Sequence, residues 1–185
     1  MKSKFIPDII PYTGDQLHSH WAYENYDVQG ESIVAFIGPC DVRCAKLVDL
    51  ADRKDQEMIY SEEMLHFIVE HFDLDLEKTI LRQKLLVVIL MEKLNNRLNK
   101  MTVHRLGDDL FEEEKKLSVS IATLTPVSTM IHLGVNIRSE HTPVPTKGLN
   151  DYGMDPVELA EAVMNQYMAE MRLLKVARSK VKGVR

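Results

Sequence analysis

Cysteine is almost missing from these 185 residues, with Cys40 and Cys44 the whole supply. Two thiols are too few for a disulfide framework, and no second pair completes a zinc site, so both are read as reduced. Long apolar runs are missing as well: the longest, Leu85 to Met91, falls far short of the roughly 20 residues that cross a bilayer. The opening stretch "MKSKFIPDIIPY" carries prolines where a signal peptide needs an unbroken apolar segment. A cytoplasmic protein that stays out of the membrane is expected. Excess positive charge is lacking too, since the net charge is −5, and with it goes the main reason to expect a nucleic-acid partner. No repeat or low-complexity tract interrupts the chain, and "TPVPTKG" at 142 to 148 is its longest linker-like stretch. One domain over residues 1–185 is expected, long enough to bury a core without staples.

What is present is patterned. "ESIVAFIG" at 31 to 38 is a short apolar run closed by Gly38-Pro39, a buried strand entering a loop. "SEEMLHFIVEHF" at 61 to 72 opens with Ser61 and two acids and is read as a helix with a serine N-cap. Leu76 to about Asn99 is rich in helix formers and apolar nearly all round, which predicts a core helix. The period then falls to two. Leu117, Val119 and Ile121 alternate with Lys116, Ser118 and Ser120, and Ile131, Leu133, Val135 and Ile137 alternate with His132, Gly134 and Asn136, predicting two half-buried strands. "DPVE" then starts a last helix with Asp155 as N-cap, Pro156 first and Glu158 third. Its stripe runs through Val157, Ala160, Met164, Tyr167, Met171 and Leu174. Together these elements predict an α+β domain whose mixed, mostly antiparallel sheet is covered by helices on one face.

Two constellations carry chemistry. In the hairpin "LGDDLFEEEKKLSVSIAT" at 106 to 123, strict alternation sends Leu117, Val119 and Ile121 inward and sets Lys116, Ser118, Ser120 and Ala122 in a row on the other face. An ammonium backed by small hydroxyls suits a carboxylate or phosphate, and a serine-rich exposed strand explains the same pattern without a ligand. The second constellation is histidine. His18 and His20 share one side of an extended stretch, and His66 and Glu70, four apart, share one face of the expected helix. Such donors can bind zinc or another divalent metal, or serve only in surface hydrogen bonds. Trp21, near Tyr23 and Tyr26, either walls an apolar pocket or packs against the core helix. The acid-free run of Arg172, Lys175, Arg178, Lys180, Lys182 and Arg185 either touches RNA or an acidic partner or complements the dipole of its own helix.

"GDDLFEEEKKLSVSIA" resembles the hairpin of the biotin and lipoate protein ligase superfamily, in which Asn/Asp-Asp-Leu precedes a turn and Lys-Leu/Ile-Ala/Ser-Gly follows it. The spacing from Asp109 to Lys116 is that of the family. "MIHLGVNIR" at 130 to 138 resembles the strand that follows, with Gly134 and Asn136 matching. The resemblance implies a catalytic domain of the class II synthetase type. It implies that Lys116 binds the carboxyl end of a small acid or the acyl-phosphate of its adenylate, with Asp109 beside it. Asp108, Ser118, Ser120, His132 and Asn136 become candidate ligand contacts. ATP with magnesium, or no cofactor, and an acceptor protein or a second copy of the chain are the cofactor and partner expectations that accompany it.

The departures are equally plain. Val119 and His132 stand where the family has glycine, and residues 12 to 100 hold no Gly/Arg-rich nucleotide loop, "IGPCDVRC" being the nearest segment. Cysteine-using transferases of the superfamily place their cysteine after the lysine, whereas Cys40 and Cys44 precede it. From "QLHSHWAYE" and "SIVAFIGPCDV" to "TPVPTKGL" the chain also resembles the uncharacterised archaeal and bacterial family called domain of unknown function 366. Three functions follow as expectations: acyl or adenylate transfer on a small carboxylic acid, ligand binding or scaffolding after loss of the nucleotide loop, and metal-dependent hydrolysis through His18, His20, His66 and Glu70.

Overall fold

The expected mixed sheet is present and organises everything else. The computed structural model describes residues 1–54 and 59–184, and Arg185, the last of the basic run, lies outside the described residues. Five strands, β1 (Lys2–Ile9), β2 (Ser32–Val42), β3 (Ile59–His71), β7 (Ser118–Leu124) and β8 (Thr129–Asn136), form one sheet in the order β1-β2-β3-β8-β7. Only the β1–β2 pair in this sheet is parallel. A second sheet joins β4 (Val103–Leu106), β5 (Asp109–Glu112) and β6 (Lys115–Lys116). The helices are α1 (Trp21–Tyr26), α2 (Leu50–Lys54), α3 (Leu76–Leu98) and α4 (Pro156–Lys180). No helix among the described residues is long and apolar enough to cross a membrane.

Pleating divides the sheet into two unlike faces. Ile33, Leu65, Phe67, Leu133 and Val135 pack under α3 and α4. On the opposite face Val34, Phe36, Met64, Ile68 and Met130 gather Trp21 and the segments around α1. Trp21 therefore packs on the sheet face away from α3, 5.8 Å from Phe36 between ring centroids, and not against the core helix as expected.

The 61–72 helix is a correction: this segment belongs to β3, the central strand, paired with β2 on one side and β8 on the other. A strand buried on both faces loses its alternation and reads as a continuous apolar run, which periodicity alone cannot tell from a buried helix. Ser61 caps nothing and pairs with Cys40 across β2. β2 also runs past Gly38-Pro39 to Val42, four residues further than expected from sequence, with its register shifted between Gly38 and Cys40.

The two long helices follow their signals. Asp75 caps α3 by accepting from Lys78 N, and the Asp155 carboxylate accepts from Val157 N at 2.8 Å and Glu158 N at 3.0 Å. Leu174 departs from the predicted α4 stripe and is exposed, Met171 being the last buried residue of the helix. Asp155→Ala leaves two first-turn N–H groups without their cap, and thermal unfolding should show a loss of about 1 kcal/mol, a drop of roughly 2–4 °C in Tm. An unchanged Tm would mean that the cap is replaced at no cost.

Candidate functional site

The face of the sheet opposite α3 and α4 carries the polar chemistry. β3 and β8 pair so that Met64 faces Asn136, His66 faces Gly134 and Ile68 faces His132. These even-numbered residues point the same way. His66 Nδ1 lies 3.0 Å from His132 Nε2, and His66 Nε2 lies 3.2 Å from the Gly38 carbonyl oxygen. A carbonyl only accepts, so His66 is protonated on Nε2, and its Nδ1 accepts from His132 Nε2–H. Both rings are neutral. Burial pushes His66 down to about 3, against the pull of the Gly38 carbonyl, and holds His132 well below the ordinary histidine range. Tyr12 stacks on His132 with ring centroids 3.7 Å apart and planes 12° from parallel. Gly134 makes room for this arrangement: a Cβ there would sit 2.9 Å from Met64 Cε and 3.3 Å from His132 Cε1.

Beside this floor lies a cavity of about 160 Å³, its wall including Lys116, Asp109, His132, Asn136 and Met64. Lys116 Nζ is 2.8 Å from Asp109 Oδ2, and the two side chains are 31% and 20% exposed, so the pair is partly withdrawn from water. Burial pushes the Asp109 carboxyl above the usual carboxylate range, with the Lys116 ammonium working against that rise. Asp109 Oδ1 is buried without a hydrogen bond of ordinary geometry. The backbone around Lys116 is fixed from two sides: its N–H donates to Pro145 O at 2.9 Å, and its carbonyl accepts from Lys147 N at 3.0 Å and from Asn136 Nδ2 at 3.2 Å. Asn136 also donates to Lys147 O at 3.3 Å, so the segment from 142 to 147 is tied down as part of the cavity wall.

Several predicted residues are placed otherwise. The alternation predicted for the hairpin breaks at Leu117, where the chain leaves the small sheet, as β6, and joins the large one, as β7. Leu117 is buried in the helical core. A one-residue slip exchanges the faces of everything downstream. Ser118 and Ser120 still border the cavity, but their hydroxyls are engaged within the fold: Ser118 Oγ accepts from Leu110 N at 2.9 Å, and Ser120 Oγ donates to Asp108 O at 2.7 Å and accepts from Gln83 Nε2 at 2.8 Å. Val119 and Ile121, expected in the core, are opposite Gly134 and His132 and line the cavity. Asp108 pairs with Lys84 on α3 and is not among the lining residues.

The predicted metal set is not assembled. On a strand His66 and Glu70 are four residues apart at about 3.3 Å each, too far to share an ion, and both nitrogens of His66 are already engaged. Glu70 accepts from His20 N at 2.9 Å and Ser128 Oγ at 2.7 Å, while His18 contacts Asp15 O and Glu24. Among the described residues no group of three or more His, Cys, Asp or Glu stands where it could hold a metal. Cys40 is fully buried, its thiol pushed up to about 12 by burial and by Asp41. Tyr12 and Met64 are the site residues that sequence reasoning passed over. Tyr12 stands in a loop without periodicity, and Met64 lay in the segment read as a helix.

A family model described as domain of unknown function (DUF366) matches residues 1–182. Uncharacterized protein MJ0805 of Methanocaldococcus jannaschii is 41% identical over 162 residues, 83% of this chain and 72% of that protein. A solved protein of unknown function from Pyrococcus horikoshi superimposes with a TM-score of 0.91 at 34% identity, covering 99% of this chain and 100% of that one. Biotin protein ligase from Aquifex aeolicus, in complex with biotin and ATP, superimposes with a TM-score of 0.62 at 14% identity over 91% of this chain and 70% of that one. Protein Ta0514 from T. acidophilum, with bound lipoic acid, superimposes less closely. At such identities the likeness to the ligases is one of fold.

Proposed function

This chain belongs to the DUF366 family, and we propose that its cavity binds a small carboxylic acid whose carboxylate is received by Lys116. The observation that carries this reading is the Lys116 ammonium, held 2.8 Å from Asp109 at the wall of a cavity otherwise lined mainly by apolar side chains. A partly desolvated, positioned ammonium forms stronger charge-assisted hydrogen bonds than one in water. The ligase-fold proteins with biotin or lipoic acid bound support the same ligand class, since both are carboxylic acids. Binding is favoured over adenylation. Gly14 is the only glycine among the lining residues, and among the described residues no metal-holding group accompanies it. Among the described residues the cavity lacks the glycine-rich backbone that would cradle the phosphates of ATP.

The test is calorimetric titration of the protein and of Lys116→Met with benzoate and hexanoate. Loss of the charge-assisted contact, about 1.5–3 kcal/mol, should weaken binding by roughly 10- to 150-fold. An incoming carboxylate competes with Asp109 for Lys116, so Asp109 takes up a proton on binding and affinity should rise as the pH falls toward the range where the ligand itself protonates. Equal affinity of the two proteins would defeat the reading, as would the absence of any binding.

A further inference from the structure

The cavity also indicates the size of its ligand, an inference that rests on the acid-binding reading and deepens it. We propose that the site selects compact acids, with a ring-sized apolar body on one carboxylate, and that Met64 is the residue that sets this limit. The volume, about 160 Å³, is close to that of an engineered apolar cavity of roughly 150 Å³ that takes up benzene. The wall is apolar around much of its extent, through Val42, Leu47, Ile59, Val119 and Ile121.

The limit is built from the strand register. Asn136 holds the Lys116 carbonyl, and Met64 is the residue paired with Asn136 on β3. Lys116 and Met64 line the same cavity, so a ligand held by its carboxylate at Lys116 has Met64 in the wall around it. The next space along β8 is the one opened by Gly134, and it is already occupied: Met64 Cε reaches to 2.9 Å of the missing Cβ from one side, and the His132 ring reaches to 3.3 Å of it from the other. Tyr12 closes the top of that ring by stacking on it. Met64 is 1% exposed and so cannot swing into solvent without breaking the packing around it. An acyl chain that continued along β8 would have to displace Met64, His132 or Tyr12, each packed against the others.

Met64→Ala removes the barrier on one side and leaves Lys116, Asp109 and the imidazole pair in place. The native protein, Met64→Ala and Lys116→Met are titrated with benzoate, cyclohexanecarboxylate, octanoate and decanoate. Native protein should hold the two ring acids at least about tenfold more tightly than decanoate, and Met64→Ala should shift that ratio toward decanoate by about tenfold, the discrimination expected when apolar groups do or do not fit. Decanoate bound as tightly as benzoate by native protein, and weakened by Lys116→Met, would keep the acid site and overturn the size limit. An unchanged ratio in folded Met64→Ala would overturn the role of Met64. If no acid bound the native protein, the underlying reading would fail as well. The native length series decides the size limit even if Met64→Ala does not fold.

Discussion

Lowering the pH from 7 to 5 is expected to remove roughly 2 kcal/mol of folding stability through His66 alone. An unfolded histidine takes up its proton near pH 6.5, whereas folded His66 stays neutral down to about 3. Between those values the unfolded chain binds more protons, so stability is complete above about pH 6.5 and falls as the pH falls through the window. His132 and His71, both held down chiefly by burial, act in the same sense. Asp109, whose carboxyl is raised, acts in the opposite one. Glu31, held near 2 chiefly by His71 and then by Lys175, adds its own loss below the carboxylate range. Urea unfolding followed at Trp21, the single tryptophan, at pH 7 and pH 5 measures the difference directly. His66→Gln keeps an amide to reach the Gly38 carbonyl and should remove about one proton from the slope. A native midpoint that does not move between the two pH values would contradict the neutral, buried imidazole pair.

Gly38→Ala should be more damaging than a change of one methyl group suggests, with a loss of about 3 kcal/mol or more, equivalent to at least roughly 6 °C in Tm. A Cβ at this position would lie 2.0 Å from the Ile10 carbonyl oxygen and 2.6 Å from its carbon, contacts with backbone that no rotamer change relieves. The strand would have to part from the segment Ile10–Tyr12, which is held by Ile10 N to Ile37 O and Tyr12 N to Pro39 O. Tyr12 is stacked on His132, and His66 donates to the carbonyl of Gly38 itself, so the damage would reach the cavity floor. Acid affinity measured in any folded fraction of Gly38→Ala should fall with stability. A variant as stable as the native protein would show that this close approach does not exist in solution.

How much of this was legible depended on whether one face of an element meets water. α4 announced itself through Asp155, Pro156 and Glu158, because capping is chemistry local to one turn. α3 declared itself by length and by strong helix formers. β3 was misread because both its faces are buried, which erases period two, and because Ser61 and the acids after it imitate a capped helix start. For the site, Lys116 and Asp109 were legible as a spaced pair, and the structure sets them in contact at the wall of the cavity. The serine row was not legible, since nothing local marks Leu117 as the point where the chain changes sheets. The histidine pair was half seen. His132 was expected near Asn136, but its partner had been assigned to a metal set, and only long-range strand pairing brings His66 within 3.0 Å of it.

The change of sheets at Leu117 also bears on how such a pocket can diverge. Insertion or deletion of one residue between Lys116 and Ser118 would exchange the aliphatic row for the hydroxyl row opposite Gly134 and His132, altering the surroundings of the imidazole pair at several positions in a single genetic event. Point substitution would need a separate step at each of Ser118, Val119, Ser120 and Ile121. Length variation at this junction is therefore the shortest path to placing hydroxyls beside His132 on this fold, and the obvious place to begin if the protein is to be redesigned for a more polar acid.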